Sequence, residues 1–224
     1  MTFKHVLSEL KDAGTTQTRK IYSRHGVSEN MFGVSFADYK KLAKQINTNH
    51  EQALELWNTG NHDARILATM IADPQTIDNK TLDLWSKDLD NYVITDAFSS
   101  FMKKCPLAYT NMEKWVLSDK EWVAAAGHSI LSHIAMSEND LEDKYFEGHL
   151  KRIESKIHSS KNRARYSMNN CVIAIGIRND FMKKKATAAA KRIGQVDVDH
   201  GQTSCKTPDA ISYIDKTWER KSKN

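Results

Sequence analysis

The chain has few of the residues that punctuate tight turns: nine Gly and three Pro (Pro74, Pro106, Pro208) in 224 residues. A sheet-rich fold with many hairpins needs more of both, so an all-α chain is expected. No run of about 18 apolar residues is present to cross a bilayer as a helix, and no membrane partner is expected. Cysteines are scarce too. Cys105, Cys171 and Cys205 are odd in number and show no CxxC spacing. That disfavours a disulfide framework and points to a reduced, cytoplasmic setting. The opening MTFKHVLSELKDAG reads as an amphipathic segment rather than a signal peptide. A chain of this length can bury a large core as one domain or one continuous array of helices.

What is present is charge, unevenly placed. Residues 1–143 carry 15 Lys and Arg against 20 Asp and Glu, whereas residues 144–192 carry 13 against three. The last 32 residues are balanced at five and five. A local excess of ten positive charges suits a polyanion, and nucleic acid is the commonest one. A solvated basic face without a partner is the plainer alternative.

Hydrophobic periodicity with start and stop signals predicts helices over 2–12, 15–25, 35–47, 50–59, 62–72, 77–87, 91–103, 106–118, 121–135, 139–157, 161–176 and 179–193. Ser, Asp or Asn often stands at the N-cap. Four helix starts share a pattern that opens polar and turns small and apolar: HDARILATMIA (62–72), NYVITDAFSSFM (91–102), KEWVAAAGHSILSHIA (120–135) and NRARYSMNNCVIAIG (162–176). Their spacing of roughly 30 to 40 residues is that of two-helix repeat units, which stack into a right-handed solenoid. Ala64, Ala68, Ala97 and Ala124 to Ala126 would let neighbouring helices approach closely. Trp57, Trp85 and Trp115 fall on apolar faces and are expected in the core.

Within 91–100, Tyr92, Asp96, Ser99 and Ser100 are spaced to share one helix face. If the second helix of each pair lines a concave groove, Tyr92, Asp96, Arg65, Trp122, Arg163 and Arg165 are candidates to face it. Cations hold phosphates, and aromatic rings contact sugars or bases. A carboxylate repels DNA, so Asp96 calls for a reason. It could stabilise an oxocarbenium-like transition state, or it could simply pair with Ser99, Ser100 or a nearby Arg.

The segments MFGVSFADYKKLAKQI (31–46), ELWNTGNHDARILATMIAD (55–73), WVLSDKEWVAAAGHSIL (115–131) and HSSKNRARYSMNNCVIAIG (158–176), in that order and spacing, resemble the DNA alkylation repair (AlkD-like) proteins. These are HEAT-like-repeat DNA glycosylases acting on N3- and N7-alkylated purines, and the resemblance covers almost the whole chain. The tail VDVDHGQTSCKTPDA (196–210) resembles the ending of one branch of them. The resemblance implies an all-α, right-handed solenoid of HEAT-like (ARM-type) repeats, C-shaped, with a basic concave groove for double-stranded, alkylated DNA. It places a DNA-binding repeat domain over 1–194 and a tail over 195–224 packed on or near it. Lys161, Arg163, Arg165, Arg65 and Trp122 become DNA-contact candidates. No cofactor and no metal are implied, and a monomer is expected.

The resemblance also implies a site: an aromatic residue, an Asp one turn later, an Arg on the helix after the next connection, and a further Trp. The alkylated base need not be flipped into a pocket. The Asp falls on Asp96, and the aromatic falls on Tyr92 where the pattern has Trp. Ala125 stands where the Arg would be, and the later Trp lands near Cys171. Arg163 or Arg165 is a candidate to replace the missing cation. Three functions follow: a glycosylase using Asp96 and Tyr92, a non-catalytic DNA-damage binder, or a protein-interaction scaffold.

Two weaker constellations remain. Asp197, Asp199, His200 and Cys205 invite a metal or nucleophile reading, but their spacing fits a docked C-terminal loop better. The run MKKKATAAAKR (182–192) reads as a helix whose basic face either tracks phosphates or is solvated.

Overall fold

The computed structural model describes residues 1–137 and 139–222. Among them are thirteen α-helices and no strand. The helices are α1 (Phe3–Ala13), α2 (Thr16–Arg24), α3 (Phe36–Ile46), α4 (His50–Asn58), α5 (His62–Ile71), α6 (Asn79–Lys87) and α7 (Tyr92–Met102), then α8 (Ala108–Trp115), α9 (Glu121–Met136), α10 (Asp143–Lys156), α11 (Asn162–Gly176), α12 (Asp180–Ile193) and α13 (Ala210–Lys221). The expected twelve are all there, several shortened at their ends. The thirteenth is an addition: beyond the stretch read as a docked loop, residues 210–221 of the tail form a helix that the sequence reading did not include. Its Asp209 caps the Ser212 amide, Ala210 and Ile214 are buried, and Trp218 Nε1 donates to Gly176 O. The last two residues of the 195–224 tail lie outside the described residues.

Two compact units divide the contacts. One comprises residues 1–108 with 201–203, and the other 109–200 with 204–224. In the first, α5 is the central helix, touching α3, α4, α7 and α1. Trp57 and Trp85 stack with ring centroids 4.1 Å apart, and Phe98 closes the cluster. Burial of such rings adds to the apolar stabilisation of this unit. In the second, α11 is central, packed most extensively on α9 and also on α12 and α13. The small residues explain how: Ala125 and Ala126 are fully buried, and a Cβ on Gly127 would stand 2.6 Å from the Val116 amide nitrogen. Only a residue without a side chain allows the helix to lie that near the α8 terminus.

Helix starts follow the sequence. Asn61 caps the amides of Asp63 and Ala64, and Asn91 caps those of Val93 and Ile94. Such caps are worth about 1 kcal/mol each. At α9 and α11 the N-cap residues are Lys120 and Lys161, which make no side-chain cap. Glu121 of α9 substitutes at the second, its Oε1 accepting from the Arg163 amide at 2.6 Å.

Candidate functional site

Helix α7 sorts its side chains sharply. Val93, Ile94, Thr95, Phe98, Ser99, Phe101 and Met102 are buried, while Asp96 and Ser100 are exposed. The four-residue polar face expected from spacing is therefore a three-residue one. Ser99 turns inward and donates to Thr95 O at 2.8 Å, as Thr95 does to Asn91 O. The reason is angular. A step of four residues keeps Tyr92, Asp96 and Ser100 in line, whereas a step of three carries Ser99 towards the core.

Tyr92, Asp96 and Ser100 border a cavity of about 690 Å³, open on one side and lined from α2, α3, α5 and α7. Ile21, Phe36, Met70 and Phe101 supply apolar wall, and Lys40 and Lys104 bring the cations. His25 meets Tyr92 edge to face at 5.0 Å, and burial lowers its pKa, which favours the neutral ring. Lys40, Lys104, Phe36 and His25 did not stand out in the sequence. They converge from three elements separated by tens of residues, and no local spacing marks that.

The α3 wall is held by a second carboxylate. Asp63, fully buried at the start of α5, accepts from the amides of Phe32 at 2.5 Å, Gly33 at 3.2 Å and Val34 at 2.7 Å, and from Tyr39 Oη at 2.6 Å. Four donors make up for taking a charge out of water. Burial and the Asp63 charge push the Tyr39 phenol far above its ordinary range, so it stays protonated and donating. Gly33 sits at φ +85° with its Cα facing Arg19 and Thr15, a place where a side chain would clash.

Arg65 does not line this cavity. Its Nη2 pairs with Asp88 Oδ2 at 3.0 Å, its Nε donates to Trp57 O, and its guanidinium lies 5.4 Å from the Trp57 ring centre. Arg65, expected from the sequence to face a groove, ties α5 to the ends of α4 and α6.

In the second unit, Trp122 is half-buried in the first turn of α9, and Lys161 is exposed ahead of α11. The Arg163 guanidinium stacks over Tyr166 at 4.2 Å. Arg165 donates from Nη1 to Asp197 O at 2.9 Å, and Asn162 exchanges two hydrogen bonds with Asp199. The chain at 197–199 is thus fastened across the α11 start, and Arg165 is part of the fastening. His200 packs on Tyr166 and bonds Thr207. The acid-rich stretch behaves as docked chain, and among the described residues no group of three or more His, Cys, Asp or Glu could hold a metal ion.

Ala125, where the resemblance would place an Arg, is fully buried between α9 and its neighbours, and Cys171 on α11 is fully buried too. Burial pushes the Cys171 thiol up to about 12. The basic run on α12 is partly spoken for: Lys183 pairs with Asp215, Lys185 with Glu147, and Arg192 with Glu154. Lys184 and Lys191 are exposed.

Comparison with known proteins bears on the family and the fold. A family model described as DNA alkylation repair enzyme matches residues 6–214. Two uncharacterized Listeria proteins are similar over 98% of this chain and 99% of their own length: Lin0241 of Listeria innocua at 33% identity and Lmo0209 of Listeria monocytogenes at 32%. A solved structure superposes with a TM-score of 0.90 at 30% identity, covering 99% of this chain and 95% of that one. It is described as "a new family of proteins related to the HEAT-like repeat DNA glycosylases with affinity for branched DNA structures". The fold is accordingly the all-helical HEAT-like repeat fold.

Proposed function

This chain belongs to the family of DNA alkylation repair enzymes, and we propose that it acts there as a DNA-binding protein recognising branched or locally opened duplex. The observation that carries this reading is the burial of Ala125. An α9 position with no exposed surface can neither hold nor replace a cation at a glycosidic bond, whereas the α7 cavity keeps an aromatic ring, a carboxylate and two lysines in one place. The described affinity of the structural relative for branched DNA points the same way. Lys40 and Lys104 in the first unit, with Lys161 and Arg163 in the second, are the phosphate contacts we assign. The test is fluorescence anisotropy of a labelled three-way junction beside a linear duplex of equal length, at about 50 and about 200 mM salt. Tighter junction binding that weakens steeply with salt is expected. Equal affinity for the two DNAs contradicts the reading, and salt-independent or absent binding favours a peptide scaffold.

A second reading rests on Asp96. An exposed carboxylate on a cavity shared with Tyr92 could stabilise positive charge on a deoxyribose as an N3- or N7-alkylated purine departs. The alkylated base is already cationic, so this glycosylase chemistry needs only water and electrostatics, and no cofactor.

A further inference from the structure

The mouth of the α7 cavity is unusual in what it leaves in water. Ile21 is 40% exposed and Phe36 is 44% exposed, and both border the cavity. A large apolar pair held at the rim of an apolar hole marks a place where something is bound. Its surroundings say what. Lys40 and Lys104 border the same space, so the occupant combines a flat or apolar body with negative charge. A lipid tail fits the walls but gives no use to Asp96 and Tyr92. An amphipathic peptide helix would cover the apolar rim but gives no use to the paired lysines beside a carboxylate and a phenol.

The Phe36 ring is also braced. It meets Tyr39 edge to face at 5.5 Å, and Tyr39 is fixed in turn by its 2.6 Å bond to the buried Asp63. A platform already immobile loses little entropy when a ring stacks on it. The volume of about 690 Å³ lies well inside the range for drug-sized ligands, leaving room for a nucleobase with its sugar. At a branch point, bases lose their partners and part of their stacking, so extrusion costs least there.

We propose that the cavity between α2, α3, α5 and α7 receives one unstacked nucleobase of the bound DNA. The base stacks on Phe36 at the mouth and reaches Tyr92, while Lys40 and Lys104 take the flanking phosphates. This rests on the branched-DNA reading above and gives it a structural cause: the protein selects junctions because they supply a base that can leave the stack. Asp96 then reads the edge of that base, its oxygens accepting from an exocyclic amine.

The test uses a three-way junction with 2-aminopurine at the unpaired branch position and a fluorescein on a distal arm. Anisotropy of the fluorescein reports binding, and 2-aminopurine emission reports the environment of the base. The full-length protein is compared with Phe36→Ala, at an exposed position, and Ala97→Phe, which plugs the cavity from α7. Thermal melts establish that both variants fold. With wild type, saturation of binding should change the 2-aminopurine emission. Both variants should lose that change and bind the junction roughly tenfold more weakly, while linear duplex affinity stays as in wild type. Normal junction binding with the same emission in all three proteins overturns the proposal and leaves the branched-DNA reading standing. Absence of junction binding overturns both. Saturable binding of free adenosine monophosphate in the absence of any junction binding would assign the cavity to a free nucleotide instead.

Discussion

Helices α7 and α9 open alike, polar first and then small and apolar, yet they do opposite things. The α7 helix keeps a line of Tyr92, Asp96 and Ser100 facing a cavity. In α9, every residue from Val123 to His128 is buried. The difference comes from what each meets. Ala124 to Gly127 let α8 and α11 approach until no space remains, whereas α7 is flanked by a hole that four helices leave open. A motif position thus has a role only if its surroundings leave it room. Asp96 has that room and Ala125 has none.

Restoring an arginine by Ala125→Arg should break the comparison most violently. An unpaired cation in a packed seam costs about 4 kcal/mol or more, and urea unfolding should find the variant unfolded or close to it. A variant as stable as wild type would show that α9 can open. The two carboxylates of the first unit supply the next contrast. Asp63→Asn puts an amide N–H against backbone N–H donors that then lose their acceptor, and should cost about 3 kcal/mol. Cavity geometry should suffer with it, since the α3 wall hangs on Asp63.

A pH titration sharpens the packed side. Burial holds His128 down to about 4, against about 6.5 in an unfolded chain. The unfolded chain therefore takes the proton first. Stability is complete above about pH 6.5 and falls as pH drops towards 4, by about 2 kcal/mol between pH 7.5 and 5.0 for this group. His62 and His149 are lowered by burial as well and act in the same direction. His128→Gln should flatten the slope measured by urea unfolding at the two pH values. The smallest effect belongs to Asp96→Asn. At an exposed site it should leave the unfolding midpoint within about 0.5 kcal/mol of wild type, while lowering the discrimination between junction and linear DNA.

Much of this was readable in advance. Scarce Gly and Pro, the 3.6-residue period and the Asn and Asp caps sufficed for twelve helices, and Trp57, Trp85 and Trp115 are each 2% exposed, as their apolar faces implied. Helix α13 escaped because its signals, Asp209 followed by Ile211, Ile214 and Trp218, come after a stretch of Gly, Thr and Ser that reads as an ending. Asp96 and Tyr92 were found through local spacing. Lys40, Lys104 and Phe36 were not, because they reach the cavity only through tertiary packing. Arg65 and Arg165 illustrate the converse: a positive charge in the sequence says nothing of whether Asp88 or a backbone carbonyl has already claimed it.

The most direct measurement is release of free 7-methylguanine and 3-methyladenine from heavily methylated duplex DNA, wild type beside Asp96→Asn, under conditions where both proteins bind the DNA. With Ala125 sealed in the α9 seam, the account predicts that neither protein releases base above the spontaneous rate. Release by wild type that Asp96→Asn abolishes would contradict it and make Asp96 a catalytic group that works without the missing arginine.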